Sequence, residues 1–218
     1  MAADGRRAYE KHSEGVYGTS DADNEIIKKV ALIGEPLVGK SALLKRRVYR
    51  LFSDRYEKSL GLNIVKARRK VEGKDLHMMV WDISGDTFLR NPEAFKRYVF
   101  DTEAVVLNYD CGRPFAEQMS AWANLDAAFS SLSKPVVAFS ANKADAGVRE
   151  DFERLLKERA EAAGVKSFFT SAKTGEGVDE AFDYVAKELV KKYKAVEAEE
   201  KKAESRARFA RFVDDGIL

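Results

Sequence analysis

"GEPLVGKS" (residues 34–41) closes the apolar run "EIIKKVALIG" (25–34) and leads into "KSALLKRRVYRLF" (40–52), where Leu43, Leu44, Val48, Leu51 and Phe52 recur at helical spacing. The stretch fits G-x-x-x-x-G-K-[ST] between a predicted strand and a predicted helix, the setting in which that pattern forms a phosphate-binding loop. Glycines let the backbone wrap closely around an anion, and N–H groups at the positive end of the helix dipole then face it. The expected contacts are Gly34, Glu35, Leu37, Val38, Gly39, Lys40, Ser41 and Ala42. Lys40 is expected to reach the β- and γ-phosphates and to serve catalysis, and the Ser41 hydroxyl to ligate magnesium.

The rest of the chain alternates strands and helices. "LNIVKARRKVEGKDLHMMVWDI" (62–83) reads as a hairpin turning at Glu72-Gly73-Lys74, its first arm an edge strand with one wet face and its second more central. Strands follow at 104–110, 135–142 and 166–172, separated by helices at 115–132 and 149–164 and followed by one at 177–196. Such alternation implies right-handed βαβ crossovers and a mostly parallel sheet, with ligands beyond the carboxyl ends of the strands. Residues 1–24 have little apolar content and read as a flexible extension, 25–196 as the folded domain, and 197–218 as a charged helical tail.

Two further motifs fall at strand ends. "WDISGD" (81–86) puts Asp82 where a carboxylate suits a hard cation, and Gly85 where a backbone N–H would meet a γ-phosphate. "NKAD" supplies Asn142, Lys143 and Asp145 after the fifth strand. A carboxylate at Asp145 would accept from a ring N–H and an exocyclic amine on one base edge, a pair that guanine offers and adenine does not. The stem of Lys143 would lie along the base plane. Ser171, Ala172 and Lys173 follow the last strand, and the Ala172 N–H is a candidate donor to the guanine O6.

The order GxxxxGKS, DxxG, NKxD, SAK resembles the small Ras-like GTPases over roughly residues 26–195, and the Gly61-bearing entrance to the hairpin looks most like the Rab branch. The resemblance implies a P-loop α/β fold with a six-stranded sheet, one edge strand antiparallel, and about five helices on both faces. It also implies GTP or GDP with magnesium, and two switch segments that recruit effectors and answer to exchange factors and GTPase-activating proteins. Phe52 matches the aromatic set against the guanine, and Tyr56 the tyrosine that closes over the phosphates. Ser59 stands where the family has a magnesium-binding threonine.

Departures gather around the γ-phosphate. Asp86 occupies the position where the family carries the glutamine that orients the attacking water. It is shorter, anionic and without an amide donor; a second reading has it cap a helix starting near Thr87. Pro36 replaces a small residue and lacks an N–H, and Ser59 lacks the methyl that stiffens threonine. Binding chemistry is complete while hydrolytic chemistry is weakened. The expectation is a GTP/GDP switch with slow hydrolysis; the alternative is a constitutively GTP-bound scaffold with negligible turnover. An ATPase or kinase is disfavoured by "NKAD".

Bulk composition narrows the rest. Lys plus Arg number 38 against 36 Asp plus Glu, so a formal charge of +2 gives no global case for nucleic acid. The only cysteine, Cys111, precludes an internal disulfide, fits a reducing compartment and reads as a small core residue. Neither end carries a lipidation pattern, and no signal-peptide core precedes residue 25, so a cytoplasmic protein without a lipid anchor is expected. Membrane contact would be indirect or through the basic tail, where Arg206, Arg208 and Arg211 interleave with Phe209 and Phe212.

Overall fold

The computed structural model describes residues 24–53, 62–119 and 134–214. Six strands, β1 (Glu25–Ile33), β2 (Leu62–Val71), β3 (Lys74–Ile83), β4 (Ala104–Asp110), β5 (Val136–Asn142) and β6 (Lys166–Phe169), form one sheet in the order β2-β3-β1-β4-β5-β6. Only β2 and β3 run antiparallel, and every other neighbouring pair is parallel. β2 is the edge strand the sequence predicts, with Lys66, Arg68 and Lys70 exposed and Ala67 buried. The hairpin closes through Glu72 and Gly73, both at positive φ, the geometry of a tight two-residue turn.

Among the described residues the α-helices are α1 (Lys40–Tyr49), α2 (Gly85–Arg90), α3 (Pro92–Val99), α4 (Glu150–Ala163) and α5 (Val178–Asp214). One apolar cluster lies between the sheet and α1 and α5, where Leu43, Leu44, Phe182 and Leu189 meet Val30, Leu32, Met78 and Val80. The other lies on the opposite face, where Phe95, Val99, Phe152 and Leu156 meet Ile33, Val105, Leu107 and Phe139. β4 lies in the middle of the sheet, covered on both faces, and all seven of its residues are buried.

Several elements differ from the sequence reading. α1 stops at Tyr49 because Arg50 takes a left-handed cap, leaving Phe52 in the following loop. The helix expected from 115 begins as a 3₁₀ turn, Phe115–Gln118, and 120–133 lie outside the described residues. The last strand ends at Phe169, three residues early; Thr170 N–H still donates to Ala141 O of β5, and the backbone from Ser171 onward bonds into a turn. α3 was not foreseen, although Asn91-Pro92 announces it: the Asn91 side chain accepts from the Ala94 N–H at 3.0 Å, and proline fills the first turn. α5 continues the 177–196 helix through Asp214, as the charged tail suggests. Its projecting part carries the pairs Lys201–Glu197 and Lys202–Glu199. No described helix is long and apolar enough to cross a membrane.

Candidate nucleotide site

The loop 34–41 joins the carboxyl end of β1 to the start of α1, with Lys40 and Ser41 in the first helical turn. Lys40 is 6% exposed, and its Nζ donates to the carbonyls of Gly34 at 2.9 Å and Glu35 at 2.8 Å. Burial pulls its pKa down to about 8, against the opposing pull of Asp82, Asp86 and Glu35. The ammonium is thus folded into its own loop, within the field of three carboxylates. Gly39, at φ 93°, allows a close approach: a Cβ there would lie 2.3 Å from Asn142 Nδ2.

Asp82, at the end of β3, is 2% exposed. Burial raises its pKa, opposed first by a hydrogen bond from the Ser41 side chain and then by the charges of Lys40 and Lys45. Its Oδ1 has no hydrogen-bond partner among the described residues. A buried carboxylate oxygen left without a donor, beside a hydroxyl, is a donor set that suits a small hard cation. The described residues contain no cluster of three or more His, Cys, Asp or Glu side chains able to hold a metal. Ser59 and Tyr56 lie outside the described residues.

α2 starts at Gly85, not near Thr87, so Ser84 holds the N-cap position and Asp86 lies within the first turn. The capping reading of Asp86 is thereby replaced. Its negative charge sits at the positive end of α2 and acts on Lys40 across the phosphate loop. Gly85 is packed on that loop, since a Cβ would meet Pro36 N at 2.3 Å and the Glu35 carbonyl carbon at 2.6 Å. The DxxG segment and Pro36 are therefore in direct contact. Glu35 turns its own carboxylate to Arg113 at 2.9 Å, a brace to the β4 loop that the sequence reading missed.

At the other end, Asn142 Nδ2 donates to the Val38 carbonyl at 2.9 Å, and its Oδ1 accepts from the Ala172 N–H at 3.0 Å. Asn142 is buried and joins the phosphate loop to the Ser171–Lys173 loop. The Ala172 N–H, expected to meet a guanine O6, is engaged by Asn142 here. Asp145 Oδ1 accepts from Ser171 Oγ at 2.6 Å, and Lys143, at positive φ, reaches Asp110 Oδ2 at 2.7 Å. Asp110 was unmarked in the sequence, although it ends β4 and so belongs at the ligand edge. Phe52 is half-buried against the α1/α5 cluster. Lys173 is exposed, while Ala42 sits half-buried in the first turn of α1. Cys111 is buried, with its thiol pushed up to about 12 by burial.

Comparison with known proteins gives a consistent result. The Ras family model matches residues 29–191. DnaJ homolog subfamily C member 27 from Bos taurus is 31% identical over 163 residues, covering 71% of this chain and 58% of that protein. Ras-related protein Rab-21 from Geodia cydonium is 30% identical over 171 residues, covering 74% of this chain and 70% of that protein. Ras-related protein Rab-2B from Dictyostelium discoideum is 29% identical over 170 residues, covering 77% and 83%. The chain spans just under three fifths of the DnaJ relatives' length (58%).

Proposed function

The chain belongs to the Ras family, and from that premise we propose that it binds GTP and GDP with magnesium and acts as a conformational switch whose intrinsic hydrolysis is slow. The observation that carries this reading is the unpartnered Oδ1 of Asp82 beside Ser41, next to a lysine held at the phosphate loop. Lys40 would exchange its carbonyl partners for phosphate oxygens, and binding would restore the full charge that burial weakens. Ser41 and Asp82 would hold magnesium, together with Ser59. A magnesium ion held there would supply positive charge that offsets the negative charge of the phosphates during transfer.

Asn142, Lys143 and Asp145, with Ser171, Ala172 and Lys173, would bind the guanine, and Phe52 would flank it. Hydrolysis would be slow because Asp86 offers neither the length nor the amide of a water-orienting glutamine. Its charge would also oppose the γ-phosphate. Effectors would read the two switch segments. The contact of Gly85 with Pro36 favours a second reading, a GTP-bound scaffold that hardly turns over, because it leaves the DxxG segment seated on the loop. The nucleotide content of freshly purified protein separates the two: a GDP/GTP mixture marks a switch, and almost pure GTP a scaffold. Purified, folded protein that takes up neither nucleotide in magnesium would refute both.

A further inference from the structure

We propose that Arg46 is a positioning residue for guanine recognition: from the helix that begins in the phosphate loop, it sets the place of the Ala172–Lys173 backbone. This rests on the guanine-nucleotide reading above. The guanidinium spends every nitrogen on a backbone carbonyl. Nε donates to Ala172 O at 2.7 Å, Nη2 to Lys173 O, and Nη1 to Arg50 O at 3.1 Å. The planar fork suits two successive carbonyls in a way that a point ammonium does not. The third bond ties the same side chain to the left-handed cap of α1.

The loop does not need Arg46 for its own shape. Ser171 N–H donates to Glu176 O at 2.9 Å, Gly175 N–H to Ser171 O at 2.8 Å, and Thr174 N–H to Ser171 Oγ at 3.0 Å. These bonds close the turn internally, so the arginine adds position relative to α1. α1 also carries Lys40 and Ser41, and six residues of helix place Arg46 about 9 Å along the axis from Lys40. One rigid element therefore bears both the phosphate-end residues and the anchor of the base-end loop.

Ala172 is gripped from both sides, its N–H by Asn142 and its C=O by Arg46. A trans peptide points its N–H opposite its C=O, so the bond to Arg46 aims the Lys173 N–H away from α1. Of the three donors of Ser171–Lys173, the Ser171 and Ala172 N–H groups are engaged. The Lys173 N–H is the donor that the arrangement presents to a base, and Arg46 sets its direction.

The test is the release rate of labelled GDP and GTP from the full chain and from Arg46→Ala and Arg46→Lys, in magnesium and in chelator. Arg46→Ala should speed release of both nucleotides by one common factor, about tenfold, from loss of two charge-assisted hydrogen bonds. The ratio of chelator to magnesium rates should stay that of the unaltered protein, since the phosphate end is untouched. Arg46→Lys should fall between the two. Unchanged release in Arg46→Ala would overturn the proposal, as would acceleration that also alters the magnesium ratio, because the effect would then be a general loosening of α1. If Arg46→Ala does not fold, Arg46→Lys decides alone, and release matching the unaltered protein overturns the proposal. If the folded, unaltered chain retains neither nucleotide, the guanine reading itself falls and this inference goes with it.

Discussion

The two ends of the candidate site, one proposed for the base and one for the phosphates, are built on opposite plans. At the base end the polar groups satisfy one another: Asn142 uses both ends of its amide, Asp145 holds Ser171, and Lys143 holds Asp110. At the phosphate end, burial lowers the pKa of a lysine, and an aspartate keeps an oxygen without a donor. The first arrangement is complete in the bare protein. In the second, Lys40 has only backbone carbonyls as hydrogen-bond acceptors and one Asp82 oxygen has no partner among the described residues, an arrangement that an entering anion and cation would balance. A preformed end that would select and an unbalanced end that would respond to charge make the division of labour that the proposed nucleotide switch needs.

Removing the response to charge should have the largest effect. Lys40→Ala or Ser41→Asn is expected to abolish magnesium-dependent GTP binding in titration calorimetry, because each deletes a charge or a ligand at the unbalanced end. Unchanged affinity in either variant would mean that the loop binds no phosphate. Next in size is the selective end. Asp145→Asn should weaken GTP and GDP by roughly a hundredfold or more, and shift preference toward xanthine nucleotides in competition assays. ATP competing as well as GTP against the unaltered protein would break the guanine assignment.

Gly85→Ala probes the seam where the DxxG segment rests on the loop. A methyl 2.3 Å from Pro36 N must displace backbone, so a loss of about 1–3 kcal/mol in denaturant unfolding is expected. Retained stability would mean that α2 lifts freely from the loop. A graded effect comes from pH. Lys40 titrates near 8 in the nucleotide-free fold and at 10.5 ordinarily, so between those values the unfolded chain holds a proton that the folded one has released. Stability of the nucleotide-free protein should therefore rise through that window. GTP affinity should fall there, by about tenfold per pH unit at most, because the bound form needs the ammonium. Affinity that is flat from pH 8 to 10 would show that Lys40 stays charged without ligand.

The sheet and the order of its motifs were legible because strand–helix alternation and glycine punctuation are local signals. β1, the loop 34–41 and α1 follow from the pattern of residues 25–52, and the antiparallel edge strand β2 follows from the hairpin turn at Glu72-Gly73-Lys74 and a first arm with one wet face. What escaped depends on long-range contacts. Arg46 reaches carbonyls 126 and 127 residues away, and Arg113 reaches Glu35 across the loop; neither leaves a spacing to read. The start of α2 was misjudged because glycine is a poor helix former, and only its packing against Pro36 fixes the first turn at Gly85. Asn91-Pro92 is a local start signal for α3, a capping side chain followed by proline in the first turn.

The central claim is that the site binds nucleotide fully while its catalytic position has lost the usual occupant. Single-turnover GTP hydrolysis at saturating magnesium, for the unaltered protein, Asp86→Gln, Pro36→Gly and the double variant, tests it most directly. The account predicts intrinsic turnover on the order of 10⁻⁴ per second or below, a rise in Asp86→Gln, and a further rise, more than additive, in the double variant if Asp86 and Pro36 share one obstruction. GTP affinity should hardly change. Fast hydrolysis by the unaltered protein that drops in Asp86→Gln would contradict the account and make Asp86 a working catalytic carboxylate.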